Sequence, residues 1–123
     1  MTGDVSDQLR NVNKLRRKLP HTWRPFFGRF GTLTNVQQQT IPAVLQGNNV
    51  VVGAPTASGK TEAIVAPVAE LQIREGWSSL AVIYVVPTRA LANDMFARLE
   101  GPLEDLNLKC VLKHGEHGGL PKN

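Results

Sequence analysis

Apolar residues near the start of the chain recur every three or four positions: Val5, Leu9, Val12, Leu15 and Leu19. That is the period of one helix face, so residues 6–19 are expected to form an amphipathic helix, stopped by Pro20. Trp23, Phe26, Phe27 and Phe30 follow at the same spacing and predict a short helix with one aromatic face, closed by Gly31. Core packing accounts for such a cluster, with a lid over a bound base as a second role for one ring. Thr34 opens a third helix and stands three residues before Gln37, the capping-box spacing at which each residue bonds the other's backbone N–H. The cap needs only the glutamine's oxygen, which Glu also supplies, so Gln37→Glu is expected to leave this helix and the chain's stability near normal. Pro42 kinks the helix and Gly47 ends it.

The pattern then changes. Residues 50–52 and 80–86 are short, continuously apolar runs, the signature of parallel strands buried on both faces, and residues 108–112, which include Lys109, read as a third strand. Helical spacing returns between them. Ile64, Val65, Val68 and Leu71 predict a helix that Pro67 bends and Gly76 breaks; Leu91, Met95, Phe96, Leu99 and Leu103 predict another. Strand and helix in alternation predict an α/β fold, a parallel sheet flanked by helices with a helical N-terminal extension.

At 123 residues this is at most one domain, and 41% apolar with 20% charged residues is the balance of a globular chain. The net charge of +4 is concentrated early, in Arg10, Lys14, Arg16, Arg17, Lys18, Arg24 and Arg29. Arg10, Lys14 and Arg17 share one stripe of the first helix, which reads either as a solvated face or as a surface for phosphates. Cys110 is the single cysteine, which rules out an internal disulfide and fits a reducing, cytoplasmic setting. The first residues lack the apolar segment of a secretory leader. Cys110, His114 and His117 do not have the spacing of a zinc site, and that segment reads as a loop.

The chemistry is concentrated in Ala54-Pro55-Thr56-Ala57-Ser58-Gly59-Lys60-Thr61. An apolar run precedes it and a helical pattern follows, so it has the context of a phosphate-binding loop. Small side chains let backbone N–H groups close on phosphate oxygens at the positive end of the new helix. Lys60 reaches the β- and γ-phosphates, and the Thr61 hydroxyl holds Mg²⁺. The common pattern has Gly at its first position; here Ala54 stands there, with Gly53 one place early.

Three stretches in this order resemble the front of a superfamily-two ATP-dependent helicase of the DEAD/DEAH-box kind. LTNVQQQTIP is similar to the Q motif, APTASGKTEA to motif I, where Ala in the first position is common, and PTRALAND to motif Ia. The likeness runs from about residue 21 to 117 and, through RLEGPLEDLNL and GEH, most resembles the large helicase-related branch. It implies a RecA-like ATP-binding domain over residues 21–123, behind an N-terminal helix within 1–20. It also implies that Gln37 reads adenine, that residues 54–61 hold ATP and Mg²⁺, with Lys60 and Thr61 catalytic, and that Pro87, Thr88 and Arg89 touch the backbone of single-stranded or duplex DNA or RNA. The family's acidic Asp-Glu motif is not matched. After Asp94 only Glu104 and Asp105 are adjacent carboxylates, and they lie between a helix and an apolar run. The resemblance thus implies a domain cut before that motif, binding nucleotide without turning it over. A small-molecule kinase and a purely binding module are the alternatives; the Gln37 and PTRALAND segments argue against the kinase.

Overall fold

The periodic segments fold as helices close to where their spacing places them. The computed structural model describes residues 5–113, which form α1 (Val5–Lys18), α2 (Trp23–Phe27), α3 (Asn35–Leu45), α4 (Lys60–Glu75) and α5 (Arg89–Asp105). Two compact units divide the chain, Met1–Gly76 and Trp77–Asn123.

In the first unit α3 packs chiefly on α4, α1 on α3, and α2 on α4. Ala63, Ala66 and Ala69 line the buried side of α4. Their small side chains suit the close packing of α3 on α4, and Ile41 of α3 is fully buried. Val12 and Leu15 bury one side of α1 and Leu19, just past its end, is buried too, whereas Val5 and Leu9 at its start remain exposed. Pro67 is buried inside α4, which continues through it to Glu75. Gly76 then ends the helix at φ +71°, a left-handed conformation that a Cβ disfavours.

Trp23, Phe26 and Phe27 are buried, with Trp23 and Phe27 ring centroids 5.5 Å apart. Phe30 is not part of that face. It lies beyond the end of α2, 60% exposed, under the Arg29 guanidinium at 4.7 Å. Glu70 ties this segment to α4. The residue is fully buried; Oε1 accepts from the backbone N–H groups of His21 (2.9 Å) and Thr22 (3.0 Å) and from the Thr22 hydroxyl (3.3 Å). Oε2 stands 2.6 Å from His21 Nδ1. The N–H groups just before α2 are thereby satisfied by a carboxylate from a helix nearly fifty residues on.

The parallel sheet is not there. Among the described residues no segment pairs as a strand, and residues 50–52, 80–86 and 108–112 run as irregular connections. Val51 is 100% exposed and Val85 83%. An apolar run records a demand for burial, but a strand exists only when a second backbone meets its N–H and C=O groups. None of the three runs has such a partner among the described residues, so the expected α/β class is corrected to helices joined by irregular segments.

In the second unit α5 contributes Leu99 as its one buried residue among those described, while Met95, Phe96 and Leu103 are half-buried. No helix among the described residues is long and apolar enough to cross a membrane.

Candidate functional site

Thr34 and Gln37 form the capping box their spacing predicts. The Gln37 N–H donates to Thr34 Oγ1 (3.3 Å), and Gln37 Oε1 accepts from the Thr34 N–H (2.9 Å). Tertiary structure adds two bonds. Gln37 Nε2 donates to the Gly59 carbonyl (3.2 Å), and the Thr34 hydroxyl donates to the Ser58 carbonyl (2.8 Å). The start of α3 is thus bonded to the end of the 54–59 loop, with Gln37 only 7% exposed between them. Nothing in local spacing announces these contacts, which join residues more than twenty positions apart.

The loop is shaped by its own backbone. Ala57 has φ +66° and Gly59 φ +82°, immediately before α4 opens at Lys60. A left-handed residue followed by a helical one turns successive N–H groups toward one concavity, the nest geometry that receives anions. At Gly59 the glycine is required twice over. The φ is left-handed, and a Cβ there would lie 2.3 Å from Gln37 Nε2. Within the loop Ser58 Oγ donates to the Pro55 carbonyl at 2.6 Å, and Lys60 Nζ donates to the Ala54 carbonyl at 2.7 Å.

Pro55, Thr56 and Ala57 are exposed, while Ala54, Ser58, Gly59, Lys60 and Thr61 are half-buried. A helix start, a lysine ammonium and the Thr61 hydroxyl meet here, donors of the kind that suit an anion, with Glu62 the one acid in the first turn of α4. The structure therefore brings together Gln37 and residues 54–61, all within the first unit.

Pro87, Thr88 and Arg89 belong to the second unit and are exposed. Thr88 caps α5, its Oγ1 accepting from the Leu91 N–H at 3.1 Å, and Arg89 is the first helical residue. A guanidinium at a helix N-terminus places a bidentate cation where the backbone dipole already favours an anion. Cys110 is a resting thiol: burial, and secondarily the Glu100 carboxylate, push its pKa up, away from a reactive thiolate. His114 and His117, weighed above as metal ligands, lie outside the described residues.

Sequence reasoning missed two features. Glu70 lay within an apolar helix pattern, where an isolated acid flanked by Ala69 and Leu71 was the available signal. Phe30 shares the aromatic spacing, but α2 ends at Phe27 with Gly28 as its C-cap, so Phe30 lies past the helical face.

The amino-acid sequence resembles those of known proteins. Residues 34–121 match the family model of the DEAD/DEAH box helicases. The chain is similar to the ATP-dependent helicase Lhr-Core protein 2 of Thermococcus barophilus, 41% identical over 86 residues, covering 66% of this chain and 10% of that protein. It is similar also to the ATP-dependent RNA helicase DBP3 of Scheffersomyces stipitis, 36% identical over 77% of this chain and 18% of the relative. For the ATP-dependent RNA helicase DBP4 of Gibberella zeae the figures are 34%, 94% and 14%. The chain thus spans between a tenth and a fifth of the length of these relatives. No solved structure matches it significantly.

Proposed function

The chain belongs to the DEAD/DEAH box helicase family, and from that premise we propose that it is the nucleotide-binding front end of an ATP-dependent nucleic-acid helicase. The observation that carries the reading is the pair of hydrogen bonds from Gln37 and Thr34 to the Gly59 and Ser58 carbonyls. They set the side chain suited to reading adenine against the loop suited to holding phosphates.

Residues 54–61 would hold the phosphates of ATP, with the Thr61 hydroxyl on Mg²⁺; bound ATP supplies the phosphoanhydride whose hydrolysis drives such a motor. Lys60 now bonds a neutral carbonyl at Ala54. A phosphate oxygen is the stronger acceptor, because both partners are then charged, so the ammonium exchanges one for the other. Gln37 keeps one amide hydrogen and one lone pair beyond its bonds to Gly59 and Thr34, the donor and acceptor that the adenine N7 and N6 edge requires. Phe30 is the one exposed ring of its cluster, four residues before the Thr34 cap, and serves as an apolar platform for the base.

Arg89, with Pro87 and Thr88, grips the backbone of a single strand. The names of the DBP3 and DBP4 relatives favour RNA; similarity to the Lhr-Core protein keeps the large helicase-related branch as the finer placement. We place the protein in the cytoplasm, on its cysteine usage.

The test is calorimetric titration of the chain with Mg·ATP, wild type against Lys60→Ala. A lost charge-assisted bond is worth about 1.5–3 kcal/mol, so affinity falls roughly ten- to hundredfold. Equal affinity in the two proteins would remove the phosphate-loop assignment.

A further inference from the structure

A second candidate site lies at the other end of α4. A cavity of about 370 Å³ opens between the ends of α1, α3 and α4, and its lining includes Arg17, Lys18, His21, Leu45, Glu70 and Arg74. Arg74 stands fourteen residues beyond Lys60 on one helix, about 21 Å along its axis, so this cavity is separate from the phosphate loop.

Three cations from two helices converge on it: Arg17 and Lys18 from the last turn of α1, and Arg74 from the last turn of α4. Among the described residues none of the three is ion-paired. Glu70 is the one carboxylate in the lining, and it is committed elsewhere. Its Oε1 accepts from His21 and Thr22, and its Oε2 faces His21 Nδ1. The lining therefore sets three cations against one carboxylate, a net positive charge that an anion relieves.

We infer that this cavity and the adjoining face of α1 form a second contact for the phosphate backbone of a nucleic-acid strand, outside the Gln37, 54–61 and 87–89 segments. The inference rests on the nucleic-acid reading above and extends it to a new surface. The row of cations favours a strand over a single anion. From Arg17 and Lys18 it continues out of the cavity to Lys14, one turn back on α1 and also exposed. Neighbours three and four apart share a helix face, so the cations repeat along a line as backbone phosphates do. Asp7, the one acid among the described residues of α1, lies at its far end and pairs with Arg10 at 2.9 Å. Arginine suits phosphate by its planar set of donors, and Leu45 offers an apolar wall for a sugar or base.

The test titrates the full chain against fluorescein-labelled single-stranded RNA, with the same sequence as DNA in parallel, over a range of KCl concentrations. Combined Arg17→Gln, Lys18→Gln and Arg74→Gln should weaken binding and make the slope of log K against log salt shallower by about 2, at roughly 0.7 for each phosphate left without its cation. The thermal midpoint should stay that of the wild type, because all three side chains are exposed. In the unaltered protein, bound RNA should shield Lys18 from an amine-reactive label, a readout that needs no variant to fold. If the triple variant keeps wild-type affinity and slope while Arg89→Gln weakens binding, this site is refuted and the nucleic-acid reading survives. If neither RNA nor DNA binds the wild type, the underlying reading fails, and this one with it. Shielding of Lys18 by polyglutamate but not by nucleic acid would make the cavity an acidic-peptide site and overturn the inference.

Discussion

Replacing Gln37 by Glu separates the two parts this side chain plays. The substitution keeps an oxygen for the Thr34 N–H, 2.9 Å away, so the cap at the start of α3 survives. On the other side it sets an oxygen where Nε2 now donates to the Gly59 carbonyl at 3.2 Å. Two acceptors then face each other at a position 7% exposed, where water is largely shut out. Losing a buried hydrogen bond and leaving its partner unsatisfied costs about 1–3 kcal/mol, partly offset by the stronger bond from Thr34 to a charged oxygen. The expectation that Gln37→Glu leaves stability near normal is thereby revised to a loss of about 1–2 kcal/mol. In a unit of this size each kcal/mol lowers the thermal midpoint by roughly 4–8 °C.

The sign with pH is also defined. Protonation gives the introduced carboxyl a hydrogen to donate to Gly59, so its pKa in the folded state is raised above the ordinary carboxyl value of about 4.3. The folded state then binds the proton more tightly. The deficit is full above the raised pKa and shrinks as pH falls from there to the unfolded value of about 4.3. Urea denaturation of variant and wild type across the acid range is the assay. A variant equal to wild type at neutral pH, or a deficit independent of pH, would show that the Gln37–Gly59 bond does not hold the loop. In the nucleotide-bound state the same variant should narrow the preference for ATP over GTP by about 1–3 kcal/mol, read by competition titration.

Gly59→Ala combines a left-handed φ of +82° with a Cβ 2.3 Å from Gln37 Nε2, so it should destabilise the protein by about 2–4 kcal/mol in denaturant titration; a loss under about 1 kcal/mol would mean the loop relaxes freely. Glu70→Ala strips the acceptor from two backbone N–H groups and should lower stability by about 2–5 kcal/mol, while Glu70→Gln, which keeps an oxygen, should do distinctly less harm. Equal losses from both would deny the capping role. The chain by itself should show no nucleic-acid-stimulated ATP turnover, because no adjacent acidic pair follows an apolar run to hold Mg²⁺ and orient water; turnover abolished by Lys60→Ala would refute that.

Local chemistry makes several elements legible in the order of residues. The three- and four-residue spacing of Val12, Leu15 and Leu19, the three-residue interval from Thr34 to Gln37, and Gly76 after a helical run each depend on neighbours within one or two turns. Their outcome follows from backbone geometry alone. The 54–61 loop is legible for the same reason, since small residues, a lysine and a helix start are contiguous. Only tertiary structure decides what depends on distant partners. Whether residues 80–86 are a strand rests on a second backbone, and an apolar run does not say whether one lies beside it. Glu70 carries no mark of the turn before α2 that it holds. Gln37 looks like a cap in its own segment and becomes a link to the 54–61 loop only when α3 packs on α4 and brings the Gly59 carbonyl within 3.2 Å of its amide nitrogen. Hydrogen bonds and burial depend on what is near in space, and the order of residues determines that only within a turn or two.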